Sequence, residues 1–216
     1  QDGSGNILVL FQQQTNLFNG SLPNGGPILP NIWFTRYAAA SGTWSPPVRI
    51  GSSDLSGSDS AGHARIAVNP SGNAVAVWRE TRSTVGSIVA ARFSSNTWTL
   101  PALIENNTQP ADRPEVAIDV NGNAQAVWMQ KIDGSQANDS GYTARFTAAG
   151  GSWGAPQLFE QSTEGVFAPL VGMDDTGRAL IAWEQTNAGT GSIHALHFTP
   201  ASGFGTIMHF SGNSIG

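Results

Sequence analysis

Cysteine is absent from the 216 residues, which excludes disulfides, thiolate metal sites and a cysteine nucleophile. Lysine occurs once, at Lys131, and Asp, Glu, Lys and Arg together supply 12% of the chain, about half the usual share. Long surface helices draw freely on Lys and Glu, so this composition speaks against an α-rich protein. No apolar run approaches the ~18 residues of a membrane span. A net charge of −5 argues against nonspecific nucleic-acid binding, which needs clustered cations. His63, His194, His197 and His209 show no HxH or HExxH spacing, and neither a Gly-x-Ser-x-Gly elbow nor a P-loop occurs. What remains is 39% hydrophobic residues with Gly 26 and Pro 12, on a polar background of Ser, Thr, Asn and Gln. The class expected is all-β, and the low-lysine surface fits an exported, extracellular bacterial protein.

The chain repeats itself. ARIAVNPSGNAVAVW (64–78), PEVAIDVNGNAQAVW (114–128) and PLVGMDDTGRALIAW (169–183) align directly, and DGSGNILVLF (2–11) matches the second half of that unit. A further strand follows each: IWFTRY (32–37), IVAARF (88–93), YTARF (142–146) and IHALHF (193–198). Trp44, Trp98, Trp153 and Phe204 then recur every 51 to 55 residues, the three Trp followed by Pro47, Pro101 and Pro156. Each unit reads as four strands, A to D. Strand B alternates with period two around Val75, Val77 and Trp78. The A–B turn carries Asp or Asn and a Gly suited to positive φ. Strand D carries proline, which belongs on a sheet edge. Four strands in about 50 residues predict a β-propeller of four blade repeats, units about 1–50, 64–104, 114–159 and 169–210, forming one array.

The first blade lacks its strand A, since Asp2 is in register with Asn69, Asp119 and Asp174. Two readings follow: the sequence is part of a longer propeller, or a neighbouring chain completes the open blade by strand addition and drives self-association.

The A–B turns and C–D hairpins are short and regular, whereas the B–C loops (12–31, 79–87, 129–141, 184–191) and D–A loops vary. Function tends to sit on variable loops held by a rigid scaffold. Asp54, Asp59, Glu80, Glu105, Asp112, Asp133, Asp139, Glu160, Glu164 and Glu184 make that face acidic against Arg79, Arg82, Arg113 and Lys131, which suits neutral glycans, cations or basic partners. The ligand-binding candidates are Phe18, Glu80, Arg82, Asp112, Arg113, Tyr142, Phe167 and Glu184. Trp33 is a further aromatic off the repeat pattern. Asp54 with Asp59, or Asp133 with Asp139, offers oxygen ligands for Ca²⁺ at spacings that match no known loop; otherwise no cofactor or metal is expected. Repetition in every unit assigns Trp44, Trp78, Trp98, Trp128, Trp153 and Trp183 to the core, and Arg36, Arg92 and Arg145 to one inter-blade role.

SGTW (41–44), SNTW (95–98) and GGSW (150–153) resemble degenerate Asp-box repeats of sialidase-type propellers, and the GNA-x-AVW units resemble those of exported bacterial propeller proteins. The likeness implies fold. The box Asp is missing, and the arginine triad and Tyr/Glu pair of sialidases lie on the open face, opposite the repeated arginines here. A sialidase-like hydrolase is therefore a remote reading. Propeller lectins are similar in holding shallow sites on a rigid ring. The function expected is a non-catalytic module for recognition or adhesion, binding a glycan or surface polymer; the alternative is a self-assembling structural subunit.

Overall fold

The structure, a computed structural model, describes residues 1–15, 29–52, 59–134, 138–160, 164–187 and 190–210. Every regular element among them is a strand, and no helix is long and apolar enough to cross a membrane. Blade 1 comprises β1 (Ile7–Thr15), β2 (Leu29–Ala38), β3 (Thr43–Trp44) and β4 (Val48–Arg49). Blade 2 comprises β5 (Ser60–Val68), β6 (Ala74–Arg82), β7 (Val85–Ser94), β8 (Thr97–Trp98) and β9 (Ala102–Leu103). Blade 3 comprises β10 (Ala111–Ile118), β11 (Ala124–Gln130), β12 (Ser140–Thr147), β13 (Ser152–Trp153) and β14 (Gln157–Leu158). Blade 4 comprises β15 (Gly165–Met173), β16 (Ala179–Asn187), β17 (Thr190–Thr199), β18 (Gly203–Phe204) and β19 (Met208–Phe210). All pairings are antiparallel, with both halves of each strand D paired to strand C, and among the described residues blade 1 has no strand A. This is the four-blade propeller array.

The A–B turn is built identically four times. The carboxylate or amide oxygen of Asp2, Asn69, Asp119 and Asp174 accepts the N–H groups two and four residues on, at 2.8–3.1 Å. The glycine three residues on takes φ of 80–83°, which a side chain would resist. Strand D is split: β3 and β4, β8 and β9, and β13 and β14 flank the prolines, which cannot donate to strand C.

Packing is between blades. Leu8, Ile32 and Phe34 of blade 1 meet Trp78 of blade 2; Val75 and Val77 meet Trp128; Val127 and Met129 meet Trp183. Each buried indole N–H is satisfied two residues along its own strand, by Glu80, Gln130 and Gln185 at 3.0–3.1 Å. Blade 3 exchanges volume within one contact. Where blade 2 packs Ile88 beside Ile104, blade 3 has Gly141 beside Phe159, whose ring fills the space of the missing side chain.

The four blades form an open arc. No core cluster among the described residues joins blade 4 to blade 1. Leu180, Ile193 and Phe210 of blade 4 are 44–54% exposed, whereas Val75, Ile88 and Ile104 at the matching positions of blade 2 are 0–3% exposed.

Candidate functional site

The A strands β5, β10 and β15 form the inner edges of three successive sheets and pack on one another. Each carries a bulge at the same place: the register slips between Gly62 and Arg65, Asp112 and Glu115, and Phe167 and Leu170. The bulged residues His63, Arg113 and Ala168 take φ of 53°, 52° and 46°, a region that non-glycine side chains rarely occupy. Bulges re-aim side chains, and here they bring three blades' residues into one cleft of about 290 Å³.

His63, Arg65, Arg113, Glu115 and Leu170 line this cleft. His63 Nδ1 lies 2.7 Å from Asp112 Oδ1, which also accepts the Arg113 N–H at 2.7 Å. Arg65 Nε donates to Glu115 Oε1 at 2.6 Å, and the Arg113 guanidinium lies 4.0 Å from the Phe167 ring centroid. Burial alone would raise the Asp112 carboxyl, but the bonds from Arg113 and His63, with the charges of Arg79 and His63, hold it below its ordinary value. Asp139 shifts the other way: burial and the Asp112 charge raise it against the pull of Lys131. The cleft thus presents an imidazole, two guanidiniums and the Glu115 carboxylate, with His63 held by Asp112 and Arg113 lying over the exposed Phe167 ring; neither Asp112 nor Phe167 lines the cleft itself.

Of the sequence candidates, Arg113 lines the cleft, while Asp112 and Phe167 contact its lining residues His63 and Arg113. Phe18 lies outside the described residues, as does Asp54. Glu80, Arg82 and Glu184 sit on strands rather than loops, because β6 and β16 run further than the alternation suggested. Glu80 is buried, accepting from Trp78 and from the Ser52 N–H, with Arg82 at 3.2 Å. Tyr142 is a core residue stacked on Trp128 at 6.1 Å. Glu184 is half-buried, paired in register with Phe167. Asp59 accepts the Ser83 N–H, and no cluster of three or more metal-ligating side chains occurs among the described residues.

Trp78, Trp128 and Trp183 are fully buried, while Trp98 and Trp153 pack partly buried against the core. Trp44 is exposed, because no blade stands behind it. Arg92 and Arg145 lie over Phe146 and Phe198 of the following blade, at 5.3 and 5.1 Å. Arg36 does otherwise: its Nη1 donates to Asn96 Oδ1 at 2.8 Å.

No protein-family model matches the chain, and no curated protein matches it in sequence. Solved structures share the fold. An ulvan lyase of a polysaccharide lyase family is 11% identical with a TM-score of 0.57, covering 94% of this chain and 55% of its own. The lectin of Aleuria aurantia is 17% identical with a TM-score of 0.51, covering 95% of this chain and 56% of its own. An α-L-arabinanase of Penicillium chrysogenum is 15% identical with a TM-score of 0.52, covering 96% and 69%.

The fold is a β-propeller. The chain spans little more than half the length of the lyase and the lectin. One expectation is corrected by these likenesses. A non-catalytic role was inferred from missing motifs, yet propellers of this architecture include a lyase and an arabinanase. A propeller can bring functional groups together from separate blades, so the lack of a contiguous motif does not exclude catalysis.

Proposed function

We propose that this chain is a carbohydrate-recognising propeller module, acting on the cell exterior, whose axial cleft receives a glycan or surface polymer. The convergence of His63, Asp112, Arg113 and Phe167 from three inner strands carries this reading. Their fixed polar groups beside an exposed ring suit a ligand that is apolar on one face and hydroxylated at its edge. The fold neighbours add support, being proteins that bind or cleave sugars. The test is a broad glycan array at physiological salt, with and without calcium, using the chain and its Asp112→Ala and Phe167→Ala variants. Selective binding lost in both variants is expected. A blank array from folded protein refutes the reading.

A second reading rests on the carboxyl groups. Asp112 is shifted below its ordinary value and Asp139 above it, the direction of divergence that an acid–base pair for cleaving a glycosidic bond uses. Incubation with polysaccharides that score on the array, followed by assay of new reducing ends, tests it. Activity that survives Asp112→Asn rules it out.

A further inference from the structure

The charges around the axial cleft are unevenly matched. The two carboxylates at its wall already have partners. Asp112 accepts the Arg113 N–H and holds His63 Nδ1, both at 2.7 Å, and Glu115 Oε1 takes the Arg65 Nε at 2.6 Å. The guanidiniums are not matched in the same way. Arg65 gives Nη1 to the Ala64 carbonyl at 3.2 Å, and its Nη2 meets no acceptor among the described residues. No acceptor among the described residues meets the Arg113 side chain; its guanidinium rests 4.0 Å from the centroid of the Phe167 ring. Both arginines line the cleft and both are exposed.

The ring under Arg113 has a consequence for binding. It holds the arm in place without neutralising its charge, and an arginine already held loses less rotamer entropy when it meets a ligand. The repeat shows where the room beside it comes from. The bulge column runs His63, Arg113, Ala168, and the next column in the cleft runs Arg65, Glu115, Leu170. Blade 4 therefore supplies a methyl group where blades 2 and 3 supply an imidazole and a guanidinium. It also supplies an apolar side chain, Leu170, 59% exposed, next to the Arg65–Glu115 pair.

We infer that the cleft takes an acidic sugar residue, its carboxylate or sulfate oxygens paired with the Arg113 guanidinium and the C–H side of its ring against Leu170. This rests on the carbohydrate reading above and narrows it. A guanidinium with unmatched donors recognises an oxyanion by paired, charge-assisted bonds. Arg65 adds a second cation, and the Glu115 oxygen that Arg65 leaves open accepts from ring hydroxyls. A volume of about 290 Å³ holds one sugar residue, so a single acidic unit of a chain is read. The net charge of −5 does not oppose this, because distant acids are screened over about 8 Å at physiological salt whereas Arg113 acts at contact. The sequence expectation of a neutral or cationic ligand counted the loop acids together, and those in contact with the cleft wall are already paired.

The test is calorimetric titration of the full chain with trimers of galacturonate, glucuronate and mannuronate and a sulfated galactose trimer. Each is paired with its uncharged form, methyl-esterified or unsulfated, and acetate and inorganic sulfate serve as bare anions. At least one acidic trimer is expected to bind about tenfold or more tightly than its uncharged form and than the bare anions, and which trimer it is tells a carboxylate from a sulfate. Arg113→Gln should weaken that binding by about tenfold or more, the loss of a bond to a charged group, and leave the uncharged form unaffected. Arg113→Lys, which keeps the charge without the fork, should fall between the two. Arg49→Gln, at the rim of blade 1, should change neither. Circular dichroism establishes that each variant is folded. Uncharged forms or bare anions that bind as tightly as the acidic trimers, or acidic binding that survives Arg113→Gln, overturn the inference and leave the carbohydrate reading standing. Folded protein that binds no saccharide, acidic or neutral, overturns both.

Discussion

Ile88 and Ile193 occupy one repeat position, one in the buried interface between blades 2 and 3 and the other on the uncovered face of blade 4. Ile88 is fully buried and Ile193 is 49% exposed. Truncation to alanine is chemically identical at both sites, so any difference in stability reports burial alone. Each change removes three carbons, worth about 0.8 kcal/mol apiece when fully buried. At Ile88 this amounts to about 2.4 kcal/mol, and the cavity left behind Ile104 raises the expected loss to about 3–4 kcal/mol. At Ile193 about half the transfer term survives and no closed cavity forms, so about 1 kcal/mol is expected. Urea unfolding followed by circular dichroism and tryptophan fluorescence, repeated over a hundredfold range of protein concentration, measures both. A difference of about 2 kcal/mol or more supports the open arc. Equal losses at low concentration refute it, since Ile193 would then be covered in solution.

Three more outcomes follow from single contacts. Glu80→Gln should leave stability nearly unchanged, because blades 3 and 4 satisfy the same indole with Gln130 and Gln185, whereas Glu80→Ala should cost about 1–3 kcal/mol by stranding the Trp78 N–H. Thermal melts of the two variants decide it. Gly141→Ala should cost about 1–3 kcal/mol by driving a methyl group into the Phe159 ring, and Phe159→Leu in the same chain should recover part of that loss. If the double variant is no better than the single one, the volume exchange is not what shapes this contact. Asp139 has its carboxyl raised above 3.8 in the fold, so its ionisation opposes folding: its favourable contribution is complete below about pH 4 and is lost as pH rises through the raised value. Asp139→Asn should therefore raise the melting temperature at pH 7 and confer no gain at pH 3, while Asp112, shifted downward, makes Asp112→Asn destabilising at pH 7 and neutral in strong acid.

The fold was legible because its determinants are local and repeated. The Asx turn with its glycine, the Trp within strand B and the Pro interrupting strand D each act within a few residues, and each recurs. The axial cleft was legible in part. Asp112, Arg113 and Phe167 stood out as loop chemistry, but His63 belongs with them only through a bulge at the same column of every inner strand. That column immediately precedes the aligned units beginning at 64, 114 and 169, and it varies as His63, Arg113 and Ala168. Backbone geometry is repeated there while side-chain identity is not. Glu80 was misplaced for a different reason: a buried acid on a strand looks like a loop acid until its indole partner is known.

The interrupted D strands carry a consequence for how such a chain behaves at high concentration. A sheet edge offers unpaired backbone groups to any other edge it meets, and four parallel-stacked blades multiply those offers along the rim. Here each of the first three rims is cut into two-residue pieces by a residue with no amide hydrogen, so no run of donors is long enough to template another strand. The fourth rim has no proline between β18 and β19, and its last piece runs to three residues. Lateral growth into fibrils is thus blocked along most of the array by composition alone. Blade 4 is the one rim where that protection thins.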